Sequence, residues 1–218
     1  MFPRNLEQIN EIIVKHIRWR KGDKGGEQAD FSDKDLSKLQ SGTNYLPRLI
    51  DLSEIIFERA DLRESVFQSL IFNRANLCSA DLRQTDFSNS SMVEADLSNA
   101  QIGSTSFVNV DLSNAKFVQA ICTNSIDLWG ENTFPNFKGA NLSGCDFTDA
   151  DLGRANFENA DLTNANLSTV KLSVGNFFGA NLTGVKLDKH DFARDSVRAN
   201  FSNFENAIMK DTSLKTNS

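Results

Sequence analysis

From Leu52 to Phe117 every fifth residue is apolar, usually Leu or Phe, and the same beat runs from Phe137 to Val197. The residue two places earlier is usually small, as at Ala60, Ala75, Ala80, Ala95, Ala100 and Ala115, and again at Ala140, Ala150, Ala155, Ala160, Ala165 and Ala180. A period of five is neither the 3.6 of an amphipathic helix nor the 2 of a half-buried strand. It demands a coil that repeats. One unit cannot bury its own Leu or Phe, so neighbouring units must stack on it.

The unit reads A-(D/N)-(L/F)-x-x, as in Ala60-Asp61-Leu62-Arg63-Glu64 and Ala140-Asn141-Leu142-Ser143-Gly144. In this pattern the chain resembles the pentapeptide-repeat family over roughly residues 51–120 and 136–198. The resemblance implies an all-β solenoid, a right-handed quadrilateral β-helix with four pentapeptides per square turn and twenty residues per coil. The sequence supplies its own check, because residues twenty apart then lie in one column. Phe67, Phe87 and Phe107 are so spaced, as are Phe137, Phe157 and Phe177, Leu62, Leu82 and Ile102, and Leu142, Leu162 and Leu182. Like stacked on like keeps each layer the same size, which close packing favours.

Polar residues align too. Asp61 falls under Asp81 and Arg63 under Arg83; Asn136, Asn156 and Asn176 form another column, and Ser143, Thr163 and Thr183 a third. Gly139, Gly144, Gly179 and Gly184, with Asn159 and Asn164, take the last place of their units, where a tight corner suits Gly and Asn. The fourteen units at 52–117 and thirteen at 137–197 make just under seven coils. At about 4.8 Å per coil the shaft is roughly 30–35 Å long.

The chain has 218 residues, with 17 Phe against one Tyr and two Trp, as expected where Phe is the internal filler. The net charge of −6 and pI near 5.0 argue against a nucleic-acid binder with a basic stripe. No apolar run reaches membrane-spanning length, and the start lacks a secretory pattern, so a cytoplasmic address and no membrane partner are expected. Cys78, Cys122 and Cys145 fit no metal spacing and are read as reduced and structural, with Cys145 in a core slot and Cys78 outward.

Residues 1–22 are expected to form an N-terminal α-helical cap, its helix at 4–20, with Asn5 as N-cap and Leu6, Ile9, Ile12, Ile13, His16 and Ile17 on one face. A solenoid end exposes core and open strand edges and needs a lid. The basic cluster Lys15, Arg18, Arg20, Lys21 and Lys24 reads as a solvated helix end favoured by the dipole. Residues 23–218 then form the β-helix, with irregular segments near 38–49, which holds Pro47, and 121–135. Phe31 and Leu36 are out of phase with Leu52, placing the first irregularity between them. In 121–135, Ile126, Leu128, Trp129, Phe134 and Pro135 break the pattern: either one side of a coil bulges or a loop leaves the shaft. Near the C-terminus the pattern degrades, with His190 and Asp195 in small-residue slots and a new phase at Phe201 or Phe204. Those two phenylalanines leave a monomer and a C-terminal homodimer both open.

No catalytic set is apparent. Two histidines, His16 and His190, stand far apart in the pattern, and neither a G-x-S-x-G elbow nor a phosphate-binding glycine loop occurs. Asp61 with Asp81 is the best carboxylate pair for a cation, but Arg63 and Arg83 beside it should neutralise it. No enzyme activity, cofactor or metal is expected. The candidate interaction residues are Trp129 and Phe134 in the irregular segment and Arg63 and Arg83 on the shaft. The expected function is a protein-interaction or scaffold module with an unknown protein partner, similar to many pentapeptide-repeat proteins of cyanobacteria. The alternative implied by the family is a DNA mimic that binds gyrase and protects it from quinolones; the frequent Asn at the outward position weakens it.

Overall fold

This computed structural model describes residues 6–39, 50–122, 125–126, 132–172 and 175–186. Asn5, Pro47, Trp129, His190, Asp195, Phe201 and Phe204, each singled out above, lie outside the described residues.

The shaft is built from short parallel bridges rather than long strands. Asp51 pairs with Ile71, Ile56 with Asn76, Asp61 with Asp81 and Val66 with Asp86, and this twenty-residue offset continues to Gln101 and Ile121. Each unit then bends in a β-turn. The small-residue N–H bonds back to the preceding apolar residue's carbonyl, as Ala60 to Phe57 (3.0 Å) and Ala95 to Met92 (3.1 Å). The third residue of the described turns has positive φ, from Glu54 (65°) to Gly184 (68°), except in the turn at 152–155, where Gly153 (52°), the second residue, takes it. Left-handed backbone disfavours β-branched side chains, so Asn, Ser, Gln, Glu, Asp, Arg and Gly hold these corners, with Thr169 the β-branched exception among the described turns.

Asp and Asn are frequent before the apolar residue for a reason that periodicity alone does not reveal. Each Oδ1 accepts the backbone N–H two residues on, as Asp61 from Arg63 (3.1 Å), Asn141 from Ser143 (3.1 Å) and Asp161 from Thr163 (3.0 Å). This Asx turn holds the chain at the corner. The side amides also join the coils. Asn176 Nδ2 donates to Asn156 Oδ1, and Asn156 Nδ2 to Asn136 Oδ1, both at 3.1 Å.

Inside, four columns of apolar side chains fill the tube. One runs Leu52, Phe72, Met92, Leu112, Leu142, Leu162 and Leu182, all buried. The two Phe sets of the sequence are one column, because Phe107 stacks on Phe137 at 5.0 Å with ring planes 5° apart. The small slots are buried as well, and where they hold a hydroxyl it is satisfied. Ser65, Thr85 and Thr105 donate to the carbonyls of Leu36, Leu62 and Leu82 at 3.0, 2.8 and 2.8 Å. Cys145 occupies such a slot and donates its thiol to Leu112 O.

Helix α1 (Leu6–Lys21) closes the N-terminal end. Ile9, Ile13 and His16 are buried beneath it. Its basic last turn is not simply solvated: Arg20 reaches Glu54 Oε1 at 2.9 Å and Asp51 Oδ2 at 3.6 Å on the first coil. The coil beneath α1 carries the first irregularity. Asp30 pairs with Ile56 and Asp35 with Asp61, an offset of 26, so the six extra residues fall between the described residues 39 and 50.

The second irregularity is a loop that leaves the shaft, not a bulge. Ser106 pairs with Asn136, Asp111 with Asn141, Lys116 with Asp146 and Ile121 with Asp151, each offset by thirty. Ten residues therefore depart between Cys122 and Phe137, although the interval from Phe117 to Phe137 is itself twenty. Within the loop β1 (Ser125–Ile126) pairs antiparallel with β2 (Asn132–Thr133). Pro135 re-enters the shaft in the small slot below Thr105, where no turn N–H is needed because the hairpin has replaced the turn. Further on, β3 (Asp151–Gly153) pairs parallel with β4 (Lys171–Leu172), with a register shift at Gly153.

Candidate interaction surface

Arg63 and Arg83 lie on one side of the shaft, locked to the aspartates of their own turns. Arg63 Nε and Nη2 meet Asp61 Oδ1 and Oδ2 at 2.9 and 2.6 Å; Arg83 makes the same fork with Asp81 at 2.8 and 2.5 Å. Arg63 Nε also lies 3.5 Å from Asp81 Oδ2, tying the two coils. The Arg63 guanidinium holds the Asp61 carboxyl below its ordinary range. Each fork engages two of the guanidinium's five N–H donors and fixes its plane on the aspartate, so these arginines serve the shaft first. The carboxylates already hold cationic partners, and among the described residues no group of three or more His, Cys, Asp or Glu is placed to hold a metal.

Phe134 packs against the shaft. It is partly buried, and a Cβ at Gly153 would stand 2.7 Å from its Cδ1. Arg154 Cζ lies 5.8 Å from the ring centroid. The ring therefore packs against Gly153, a residue with φ of +52° in the coil below, and fastens the hairpin base to the shaft. The sequence offered Phe134 as a contact residue; the structure adds that it packs on Gly153, where only a glycine leaves room. Beside this corner Ile121 is 37% exposed, one of two large apolar side chains so exposed among the described residues. Arg63 and Arg83 share its side of the shaft, since Asp61 and Asp81, which hold them, bridge in one column with Gln101 and Ile121.

The three cysteines are free. Burial pushes the Cys78 thiol up to about 11 and Cys122 to about 12, and Cys145 higher still. All three stay protonated at neutral pH and are poor nucleophiles. Cys78 is half-buried beside Asp96, less outward than its place in the repeat suggests.

A family model for pentapeptide repeats matches eight copies in this chain, at residues 71–107 and 136–173. The chain is a pentapeptide-repeat protein. Among solved structures, a trypsin-treated form of QnrB1, a plasmid-mediated fluoroquinolone resistance protein, is similar at 14% identity with a TM-score of 0.50, covering 87% of each chain. HetL, a pentapeptide repeat protein involved in heterocyst differentiation regulation from the cyanobacterium Nostoc, is 21% identical over 93% of each chain, with a TM-score of 0.26. No curated protein matches the sequence. The fold is thus the right-handed quadrilateral β-helix of pentapeptide-repeat proteins, carrying an N-terminal helix. No helix among the described residues is long and apolar enough to cross a membrane.

Proposed function

We propose that this pentapeptide-repeat protein is a non-enzymatic interaction module whose protein partner docks at the hairpin corner. One observation carries the reading. Between residues 50 and 172 the described chain keeps to the regular coil except where ten residues leave it and return, their base held by Phe134 on Gly153, and at the register shift of that same glycine. Ordered shaft with a fixed projecting loop is how rigid scaffolds present a specific contact. The chain between β1 and β2 includes Trp129, an amphipathic anchor of the type enriched at binding hot spots. Ile121, exposed where the chain leaves the shaft, adds apolar area.

The repeat itself supplies the test. Deleting 125–134 and changing Pro135→Ala leaves Cys122-Thr123-Asn124-Ala-Asn136-Phe137, a regular unit with Asn at the left-handed corner. This variant is expected to keep the native circular dichroism and cooperative melt while losing a partner recovered reproducibly by the native chain. Trp129→Ala should weaken capture of the same partner by at least tenfold, the scale of a hot-spot loss of about 2 kcal/mol. Equal capture by native and deleted chains would refute the hairpin as the site.

A gyrase-directed DNA mimic is the competing reading. The net charge of −6 favours it. The Asp–Arg ladder opposes it, because a mimic needs a continuous anionic face to meet a basic groove. Supercoiling inhibition or quinolone protection by the purified chain at modest molar excess would decide for the mimic.

A further inference from the structure

The N-terminal lid is held by an imidazole that stands in for missing backbone. In the shaft the carbonyl after each apolar residue accepts an N–H from the coil before it, as Asn73 O from Glu54 and Val93 O from Arg74. Ser53 begins its column, where α1 lies in place of a preceding coil, and His16 Nε2 bonds its carbonyl at 3.0 Å. Likewise each small-residue N–H closes a turn onto a carbonyl, but Ala29 N–H donates to His16 Nδ1 at 3.1 Å. Accepting that bond leaves Nδ1 without a proton, so Nε2 carries it and donates to Ser53. His16 is fully buried and stacked on Trp19 at 5.5 Å. Both nitrogens are satisfied only in the neutral ring. A second proton would point Nδ1–H at the Ala29 N–H, donor against donor, inside a dry contact.

We propose that His16 makes α1 a pH-releasable lid: protonation of its imidazole undocks the helix and bares the first coil of the shaft. The surrounding charges agree in direction. Burial holds the His16 pKa below 6.5, the Ser53 bond opposes it, Arg20 on the same helix adds to the lowering, and Asp51 and Glu54 across the contact oppose it. Glu54 is itself held low, first by Arg74 and also by Arg20. At Asp51 burial works upward, yet the bonds from Ser53 and the charge of Arg20 outweigh it and its carboxyl is held low too. Neither carboxylate titrates in the window where histidine does. A folded-state pKa below the free value means that lid stability is full above about pH 6.5. It falls as pH drops from there to the folded pKa and is level beneath it. The fall corresponds to about tenfold in the docking equilibrium per pH unit within that window.

Amide hydrogen exchange of the full chain between pH 7.5 and 5.0, corrected for intrinsic rates, tests this. Protection of amides in α1 is expected to drop by about tenfold per unit below pH 6.5, while amides in the shaft between Leu77 and Ala120 hold steady. His16→Gln keeps an acceptor and a donor but cannot titrate, and its α1 profile should be flat. Flat protection in the native chain, or the same fall in H16Q, would overturn the proposal. If H16Q leaves α1 unprotected even at pH 7.5, the NMR titration of the native His16 ring decides. A midpoint below 6.5 that tracks α1 exchange upholds the latch, and one at or above 6.5 overturns it.

Discussion

Deleting residues 76–78 is expected to abolish cooperative folding, whereas deleting 76–95, nearly seven times as many, leaves a shorter shaft that still melts as a unit. The larger cut removes one coil and joins Ala75 to Asp96 and Leu97, which restores the A-D-L unit. Leu97 then follows Phe72 in the place Leu77 held, and every later column stays in phase, because bridges in this region are offset by twenty. The smaller cut shifts the beat. Ala80, Thr85, Ser90 and Ala95 would fall in the large core slots, and Leu82 and Phe87 at left-handed corners exposed to water. The downstream coils would lose the Leu and Phe side chains whose burial drives folding, each contributing about 1.5–3 kcal/mol. Solenoid stability is a sum over neighbouring layers, so loss of one coil lowers it without removing cooperativity. Urea titration followed by circular dichroism reads both outcomes. The 20-residue deletion should show a smaller m-value in proportion to its lost surface. A cooperative transition in the three-residue deletion would contradict the column assignment.

Phe137→Ala should cost about 3–5 kcal/mol. The ring is fully buried and lies between Phe107 and Phe157 at 5.0 and 5.1 Å, with Phe117 and Phe147 presenting their edges at 5.7 and 5.9 Å. Truncation opens a cavity that neither neighbouring layer can collapse into, since bridges and corner turns hold the coil spacing. Phe137→Leu, already the filler of the adjoining columns, should lose only about 1 kcal/mol. Arg83→Ala removes a partly exposed fork and should cost no more than about 1 kcal/mol. Chemical denaturation of the three variants gives the order, and a Phe137→Ala loss close to that of Arg83→Ala would show that the aromatic column does not carry the shaft.

Much of this architecture is legible in the residues. Leu142 and Leu162 pile in one column, the Ala slots are buried, and Gly139, Asn159 and Gly184 sit at positive φ, because a fixed spacing and a small-residue requirement are written directly into a repeat. The Asx turns at Asp61 and Asn141 were not legible, since outward Asp and Asn read equally well as solvated polar residues. The packing of Phe134 was not legible for a similar reason. Nothing in its own neighbourhood signals that Gly153, nineteen residues on, lies beneath it once ten residues have left the shaft. His16 read as one more member of an apolar helix face, and its two backbone partners, Ser53 and Ala29, come from distant segments.

The five-residue beat by itself determined that the chain winds into a stacked coil, which side chains fill it and which residues turn its corners, because each of those depends only on neighbours at a constant interval; the four-sided turn came from the family resemblance. The tertiary structure alone decided how many residues leave the tube at each break, that Phe107 stacks on Phe137 across thirty residues, and that an imidazole closes the first coil. Those contacts join segments at no constant interval, and only the packed backbone brings their atoms within hydrogen-bonding or van der Waals reach.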